Sequence, residues 1–293
     1  MLKCAACGKD GEGLKECTAC KLVNYCNAAC KKKHRSKHKK KCKKRVAELY
    51  DEALFKQPPP RDECDICMLT LPIVTEEQRY QACCGKMLCM GCIVAAYKED
   101  ARQLCPFCRT PNAASDGETV ERIKKRVDAD DVEAMRNLGV FYYRGLMGNP
   151  QDSEKAIELW LRAGELGDTQ AYHCVAMAYR DGEGVEMDIE KAKQYYELAA
   201  MGGDVDARHN LGVFEENAGS MDRAMKHWMI SAGAGDDDSL KEIRQCFMNG
   251  HATKDDFEKA LRAHKEAKDE MKSDQRDAAA AFLAARAAAH VQN

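Results

Sequence analysis

The sequence has no long hydrophobic run, and this absence sets the first limits on what the protein can be. No uninterrupted apolar stretch approaches the roughly 18–20 residues that a membrane-spanning helix needs. The first residues, MLKCAACGKDG, lack the apolar segment of a secretory signal peptide. The chain also lacks a glycine-rich nucleotide loop and a Ser/His/Asp arrangement that would indicate a hydrolase. We therefore expect an intracellular protein, cytoplasmic or nuclear or both, without a membrane partner, in a reducing setting where clustered cysteines more often bind metal than form disulfides.

Cysteine and charge, in contrast, are plentiful and unevenly placed. Fifteen of the 17 cysteines lie between Cys4 and Cys108, and only Cys174 and Cys246 lie beyond. Residues 1–47 hold 15 Lys and Arg against 3 Asp and Glu, although the whole chain has a formal charge of −2. A chain of 293 residues is long enough for two or three domains. The basic N-terminal part raises the question of nucleic-acid binding.

The first cysteine cluster places its potential ligands in close pairs. The pairs are Cys4 and Cys7, Cys17 and Cys20, Cys26 and Cys30, and His38 and Cys42. Structural zinc takes four sulfur or imidazole ligands in a tetrahedron, and two residues with two or three residues between them can reach one ion. Eight ligands imply two zinc ions, without which so short a segment would hardly have a core. His34, one helical turn before His38, is a rival ligand.

The order and spacing of these ligands over residues 4–42 resemble the MYND-type zinc finger, and Tyr25 before Cys26 also fits that family. The resemblance implies an interleaved pairing, with Cys4, Cys7, Cys26 and Cys30 on one ion and Cys17, Cys20, His38 and Cys42 on the other. Where the family often has tryptophan this chain has Arg35, a departure that concerns the packing or peptide-binding surface rather than the metal. Members of the family bind short proline-containing peptides more often than DNA.

The lysine-rich stretch CKKKHRSKHKKKC, residues 30–42, is therefore first a helix that carries metal ligands. Eleven Lys and Arg lie between Lys31 and Arg45, and they offset the negative charge of zinc-bound thiolates. A solvated basic face is the simplest interpretation, with nuclear import or weak phosphate contact as alternatives. No aromatic residues interleave the lysines, as single-strand recognition would favour. Nucleic acid is thus a possible partner that the sequence does not favour.

A second cysteine cluster follows a predicted linker. Residues 45–61 read as a short amphipathic helix over 45–57, ended by the stiff PPP at 58–60. The potential ligands beyond it are Cys64, Cys67, Cys83, Cys84, Cys89, Cys92, Cys105 and Cys108. Over residues 62–112 they resemble an all-cysteine RING finger. The resemblance implies one zinc on Cys64, Cys67, Cys89 and Cys92 and another on Cys83, Cys84, Cys105 and Cys108. Adjacent Cys83 and Cys84 are cramped as ligands, so one of them is a candidate for a free thiol, and Lys86 cannot ligate while it is protonated.

The resemblance to RING fingers also implies contacts with a ubiquitin-conjugating enzyme. Ile66 and Pro106 would form a shallow apolar groove for that enzyme, and Arg109 would hold the ubiquitin-loaded conjugate closed, a preorganisation effect that needs no catalytic residue in this chain. The large aromatic residue expected after the sixth ligand is missing, and Ile93 and Tyr97 are candidates to replace it. Alternatively, Ile66 and Pro106 only pack the finger and Arg109 is solvated.

Beyond a polar connecting segment, 113–130, the sequence becomes repetitive. Alanines recur at 134, 171 and 207, and glycines recur at 145, 182 and 219, which are intervals of 36–37 residues. Each unit reads as two helices separated by glycine turns, and such helix pairs must stack to bury their apolar faces. We predict a solenoid over 131–252, followed by a capping helix and an Ala-rich tail over 253–293. Trp160 and Trp228 are expected in its core.

The units over about 131–235 resemble Sel-1-like repeats, relatives of the tetratricopeptide type, and the resemblance implies protein or peptide binding on a concave surface. The predicted fold is mainly α, with two small cross-brace zinc modules, 1–44 and 62–112, followed by an α-α solenoid. The predicted function is a zinc-binding interaction protein with four zinc ions, two per finger. We prefer a RING-type ubiquitin ligase, whose partners are a conjugating enzyme and an unknown substrate or peptide, to a non-enzymatic adaptor.

Overall fold

The computed structural model describes residues 2–99 and 102–291, with side chains through residue 285. Its described part is mostly helical, as the sequence predicts, and it divides into two compact units, 1–56 and 57–293. Among the helices described, none combines the length and the apolar character that crossing a membrane requires.

The first unit is a small cysteine-rich module that ends in a long helix. Strands β1 (Lys15–Glu16) and β2 (Asn24–Tyr25) pair antiparallel, with Lys15 opposite Tyr25. Helix α1 (Ala28–Leu54) begins after Asn27, whose side chain accepts a hydrogen bond from the Cys30 N–H at 2.9 Å. No glycine or proline interrupts residues 28–54. The helix therefore continues through the position where the sequence analysis ends the finger and starts a separate linker helix.

The second unit opens with the second cysteine module. Strands β3 (Gln78–Gln81) and β4 (Lys86–Cys89) form an antiparallel hairpin in which Gln81 lies opposite Lys86. Helix α2 (Met90–Glu99) follows directly. Leu88 and Ile93 are completely buried beside the cysteines, so this module has a small apolar core of its own.

The repeat region forms the predicted stack of helix pairs. After α3 (Asp116–Val127), the pairs are α4 and α5 (Val132–Arg144, Ser153–Glu165), α6 and α7 (Thr169–Asp181, Ile189–Met201), and α8 and α9 (Val205–Asn217, Met221–Gly233). Helix α10 (Asp237–Met248) continues the stack. Gly145 and Gly182 end α4 and α6 in the left-handed conformation, which glycine adopts without steric cost.

Polar side chains connect each repeat to the next at equivalent positions. A cationic or imidazole side chain near the start of one repeat reaches the aspartate that caps the first helix of the following repeat. The pairs are Arg136 Nε with Asp168 Oδ2 at 2.7 Å, His173 Nδ1 with Asp204 Oδ1 at 3.1 Å, and His209 Nδ1 with Asp236 Oδ2 at 3.6 Å. Each aspartate thus both caps a helix and links two repeats.

Two tryptophans fill the space between paired helices, as expected for core residues. Trp160 on α5 and Trp228 on α9 are 2% and 0% exposed. Each indole lies over a helical glycine, Gly139 for Trp160 and Gly212 for Trp228, where an added Cβ would overlap the ring. The glycines therefore permit the close approach of α4 to α5 and of α8 to α9.

The C-terminal segment does more than cap the solenoid. Helix α11 (Lys254–Met271) begins with a capping box between Thr253 and Asp256 and packs on α9 and α10. Helix α12 (Asp274–Val291) instead packs on α2, where Ala279 is 1% exposed within the core of the second cysteine module. The Ala-rich tail predicted from the sequence is therefore part of that module.

The second cysteine module is also bonded to the beginning of the solenoid. Tyr80 on β3 donates to Asp131 Oδ2 at 2.8 Å, and Arg126 Nη1 donates to the same oxygen at 3.0 Å. Asp131 also caps α4 by accepting the Ala134 N–H at 3.0 Å. The module is thereby fixed to the first repeat of its own unit.

Candidate metal centres

The sixteen ligand candidates from the sequence assemble into four groups, each with its four ligand atoms within 4.8 Å of one another. They are group 1 (Cys4, Cys7, Cys26, Cys30), group 2 (Cys17, Cys20, His38, Cys42), group 3 (Cys64, Cys67, Cys89, Cys92) and group 4 (Cys83, Cys84, Cys105, Cys108). The structure therefore joins the residues in the interleaved pairs that both family resemblances imply.

The separations within the groups fit tetrahedral zinc. A Zn–S bond of about 2.3 Å places two sulfurs of a tetrahedron roughly 3.8 Å apart. The Sγ atoms of Cys67 and Cys89 are 3.8 Å apart, and those of Cys84 and Cys105 are 3.9 Å apart. Because a disulfide needs about 2.05 Å, these sulfurs are thiols, and all 17 cysteines are free. The four groups are compatible with zinc binding.

In groups 1 and 2, tight turns and helix α1 position the ligands. Gly8, with φ of 75°, closes the turn after Cys7 and donates its N–H to the Cys4 carbonyl at 2.9 Å. His38 and Cys42 lie four residues apart on α1, so they share one face of the helix.

A single imidazole belongs to group 2. His38 Nε2 lies 3.2 Å from Cys20 Sγ, so His38 supplies the nitrogen of that group. Its rival His34 is not part of the group, and its Nδ1 instead lies 3.1 Å from the Tyr25 hydroxyl. The His34 ring stacks on His38 with centroids 5.8 Å apart. His34 and Tyr25 therefore surround the ligand rather than replace it.

The electrostatics of the first two groups favour a bound cation. The Cys26 backbone N–H lowers the pKa of Cys4 to about 6, and the Cys20 backbone N–H lowers that of Cys17 to about 6. Burial, together with the nearby sulfurs of Cys20 and Cys17, raises the pKa of Cys42 to about 11. The close thiols of one group cannot all ionise without a cation because their charges repel, and a divalent metal ion removes that restriction.

Group 3 joins a knuckle to the hairpin and α2. Cys64 and Cys67 lie on the knuckle, Cys89 ends β4, and Cys92 lies in the first turn of α2. The Cys89 N–H donates to Cys64 Sγ at 3.4 Å. Hydrogen bonding, first from the Cys89 thiol, lowers the pKa of Cys64 to about 4. These hydrogen bonds stabilise the thiolate form of Cys64, which is the form that binds zinc.

Group 4 contains the adjacent cysteines that seemed cramped in the sequence. Both lie in the turn between β3 and β4, which the Gly85 N–H closes by donating to the Gln81 carbonyl at 2.8 Å. Cys83 Sγ is 3.4 Å from Cys108 Sγ, and Cys84 Sγ is 3.9 Å from Cys105 Sγ. The turn thus directs both sulfurs into the group, and ligation by both stays a prediction.

Lys86 links the two knuckles of the second module, which are the turn that carries Cys64 and Cys67 and the turn that carries Cys105 and Cys108. Its Nζ lies 2.9 Å from Asp65 Oδ1 on the first knuckle and 5.5 Å from the centroid of the Phe107 ring on the second. The lysine is thus a bridge between knuckles rather than a ligand. Arg126 supports the neighbouring turn by donating from Nε to the Ala82 carbonyl at 3.2 Å. Sequence reasoning missed the role of Arg126, because an arginine in a charged helix carries no distinguishing signal.

The predicted conjugating-enzyme contacts lie on the surface of the same two knuckles. Ile66 is 41% exposed, Pro106 is half-buried, and Arg109 is exposed with φ of 62°. Of the two candidates for the missing aromatic residue, Ile93 lies in the core, whereas Tyr97 is half-buried and its hydroxyl accepts a hydrogen bond from Asn112. Contact with a conjugating enzyme stays a prediction.

The basic face of α1 and the two remaining cysteines lie outside the four groups. All nine lysines between positions 31 and 44 are exposed, which agrees with a solvated basic face. Neither Cys174 nor Cys246 belongs to a metal group in the part of the chain that the structure describes. Cys246 is 4% exposed and its Sγ lies 3.7 Å from Met221 Sδ. These cysteines pack rather than ligate.

Comparison with protein families identifies two of the three regions. The family "MYND finger" matches residues 4–42, which confirms the resemblance seen in the sequence. The family "Sel1 repeat" matches residues 132–168 and 170–204, which are the first two of the three helix pairs. Both are protein-interaction modules, and the MYND finger binds zinc.

The individual proteins that resemble this chain each match only part of it. The "ERAD-associated E3 ubiquitin-protein ligase component HRD3B" of Arabidopsis thaliana is 32% identical over 95 residues, which are 32% of this chain and 15% of that protein. A Sel1 repeat protein from Oxalobacter formigenes is 27% identical, with a TM-score of 0.46, over 52% of this chain and 64% of its own. The protective antigen c5321 of uropathogenic Escherichia coli is 27% identical, with a TM-score of 0.44, over 52% of this chain and 33% of its own.

This chain thus spans less than two thirds of each of these relatives. The chain carries an MYND finger at its N-terminus, Sel1 repeats toward its C-terminus, and four cysteine-rich groups compatible with zinc.

Proposed function

We propose that this protein is a RING-type ubiquitin ligase. In this proposal the second cysteine module recruits a ubiquitin-conjugating enzyme, while the MYND finger and the repeats bind the substrate. The repeats and the MYND finger indicate a protein-interaction protein, and the ligase function adds an activity to that role.

The cross-brace of groups 3 and 4 is the observation that carries the proposal. Along the chain the ligand pairs of the two groups alternate, so the groups are interleaved. The two knuckles present exposed apolar side chains, Ile66 at 41% and Phe107 at 45%. Lys86 bridges Asp65, the neighbour of Ile66, and the Phe107 ring itself. A shallow apolar surface held between two metal knuckles is suited to receive the loops of a conjugating enzyme.

No nucleophile is needed in this chain for the proposed reaction. The partner enzyme carries ubiquitin as a thioester, and the substrate lysine attacks that thioester. The part of this chain is to restrict the orientation of the loaded conjugate, which lowers the entropic cost of the attack. Arg109 is exposed at the end of the second knuckle, where its guanidinium has five donors for contact with ubiquitin.

A cleft in the repeat region supports the substrate-binding role. It lies across α6, α8 and α10, and its lining includes Arg180, Asp206 and Asp238. Charged groups of both signs in a cleft favour recognition of a polar peptide segment. The Arabidopsis relative, which matches over 95 residues, is by its name a component of a ubiquitin ligase, and this likeness adds modest support.

Autoubiquitination by the purified full chain tests the proposal. The assay uses a panel of conjugating enzymes with wild type, Ile66→Ala and Arg109→Ala. We expect both variants to lose most of the activity while keeping their zinc. Leu166→Ala, at a side chain that is 51% exposed on the repeats, and Arg262→Ala, at an exposed residue of α11, are matched controls. Full activity in both knuckle variants would show that this surface is not used.

A non-enzymatic adaptor is the second candidate, favoured by the matches to two interaction modules. An adaptor would transfer no ubiquitin with any conjugating enzyme, although native mass spectrometry would show the same metal content. It would still bind peptides, so peptide-array binding measured beside the transfer assay distinguishes the two functions.

A further inference from the structure

Helix α12 is built into the metal-binding module rather than attached to its surface. Ala279 shares a buried cluster with Cys64, Cys89 and Cys92, and Leu283 packs against the same cluster. The helices α2 and α12 approach closely where Gly91 faces Arg276, since a Cβ at Gly91 would lie 2.9–3.1 Å from Arg276 atoms. The position of Arg276 relative to group 3 is therefore fixed by the contact with Gly91 on α2 and by the packing of Ala279 and Leu283 against the cysteine cluster.

The Arg276 guanidinium is bonded to the knuckle that carries Cys67. Nη1 donates to the carbonyls of Thr70 and Met271, both at 2.7 Å. Nη2 donates to the Leu69 carbonyl at 3.2 Å and lies 3.7 Å from Cys67 Sγ. One side chain thus holds the knuckle loop, the end of α11 and a ligand sulfur at the same time.

The contact between Arg276 and Cys67 offsets the negative charge that group 3 would carry with zinc bound. Four thiolates around one Zn²⁺ leave a net charge of about −2, which is unfavourable in a largely buried setting. Group 3 has three buried cysteines, Cys64, Cys89 and Cys92. A guanidinium beside the sulfurs supplies positive charge and an N–H donor to a thiolate, both of which stabilise the metal-bound state.

We propose that Arg276 is a positioning residue for group 3, and that zinc retention there depends on the docked α12 helix. The knuckle at Cys67 keeps its geometry because Arg276 holds the Leu69 and Thr70 carbonyls, and the zinc-thiolate charge is partly neutralised by the same guanidinium. Loss of α12 then weakens group 3 selectively, and loss of zinc from group 3 loosens α12. This coupling does not require ubiquitin transfer.

Zinc release from the full chain into excess chelator, followed by native mass spectrometry, provides the test. Loss of an outer hydrogen bond to a metal ligand typically weakens binding 10–100-fold, so we expect Arg276→Gln to release one of its zinc ions roughly 10–100-fold faster. Alkylation mapping should show Cys64, Cys67, Cys89 and Cys92 as the thiols exposed first. Arg262→Gln on α11 is the control and should match wild type.

Two further variants keep the proposal testable if Arg276→Gln folds poorly. Arg276→Lys keeps the charge but not the planar fork, so zinc release should fall between those of wild type and Arg276→Gln. In the ¹¹³Cd-substituted protein this variant should move one resonance and leave the others in place. Ala279→Glu undocks α12 without altering the arginine, and it should accelerate loss of the same ion.

The proposal is overturned if Arg276→Lys and Arg276→Gln retain zinc at group 3 as wild type does. It is also overturned if all groups lose zinc equally faster, because that result would indicate general destabilisation. An Ala279→Glu variant that releases α12 to protease yet keeps group 3 intact would refute the coupling.

Discussion

Replacing Gly212 by alanine tests the closest approach between paired helices of the solenoid. Gly212 lies inside α8 under the Trp228 indole, and a Cβ there would come within 2.7 Å of Trp228 Cε2. Trp228 is 0% exposed, so the ring has no open space into which it can move. Overpacking of a buried site costs typically about 1–3 kcal/mol.

The expected size of the effect includes a gain that opposes the overlap. Alanine is favoured over glycine within a helix by roughly 0.5–1 kcal/mol. We therefore expect a net loss of about 1–2 kcal/mol in the free energy of unfolding. For a unit of this size that loss corresponds to a decrease in Tm of roughly 2–8 °C. Thermal and urea unfolding, followed by circular dichroism and tryptophan fluorescence, measure it.

Gly233→Ala is the matched control for this substitution. Gly233 ends α9, and an added Cβ would lie 3.8 Å from Ala263 Cβ, an ordinary contact. This variant should be as stable as wild type or slightly more stable. If Gly212→Ala raised the Tm in the same way, the proposed overlap with Trp228 would be refuted.

The middle repeat suggests a compensating double variant. One repeat earlier, the positions of Gly212 and Trp228 are occupied by Ala176 and Tyr196, which are both fully buried. Gly212→Ala combined with Trp228→Tyr reproduces this combination. Because the two sites touch, the double variant should be less destabilised than the sum of the single variants by about 0.5–3 kcal/mol.

Two further predictions concern metal and pH. The α1 lysines are already exposed, and the folded helix protects the peptide bonds beside them from trypsin. Removing metal with a strong chelator should unfold the module that depends on groups 1 and 2, so trypsin should cleave α1 faster while a fragment spanning α5–α9 persists. Equal cleavage of α1 with and without metal would contradict this. Burial alone would lower the pKa of His173, but the hydrogen bond with Asp204 and the negative charges of Asp204 and Asp206 together outweigh burial and raise it. A raised folded-state pKa stabilises the solenoid fully below the unfolded value of about 6.5, and the contribution is lost as pH rises through the folded value. Wild type should therefore exceed His173→Gln in unfolding free energy by more at pH 6 than at pH 9, and an identical difference at both pH values would show that the pair does not titrate.

The local patterns of the sequence predicted the parts of the fold that local geometry determines. Ligands three or four positions apart share a knuckle or a helix face, so the ligand pairs of groups 1 to 3 could be predicted from spacing and family resemblance together. Helix α10 lies within the predicted solenoid, and its start is marked locally by the capping residue Asp236. The repeat interval likewise fixed the three helix pairs.

Features that depend on distant contacts were not predictable from the sequence. Arg276 lies 209 positions from Cys67, and nothing in its polar neighbourhood separates it from other surface arginines. The convergence of Cys83 and Cys84 depends on the turn at Gly85, whose geometry spacing does not reveal. The continuity of α1 through residue 54 was not predictable, because the ligand-bearing stretch 30–42 and the amphipathic pattern of 45–57 each indicate helix but do not show that the two join.

The attachments of the second cysteine module have a mechanical consequence for the repeats. Repeats that contact only their neighbours can change curvature through small rotations at each interface. Here the segment that begins at residue 57 is bonded to both ends of the stack. Tyr80 donates to Asp131 at the start of the first repeat, and Arg61 donates to the Ala234 carbonyl at the end of the third repeat. These bonds restrain both ends of the three-repeat stack, so its bending modes are stiffened. A peptide that needed a wider cleft would have to break one of these attachments, and its affinity would be reduced by that cost.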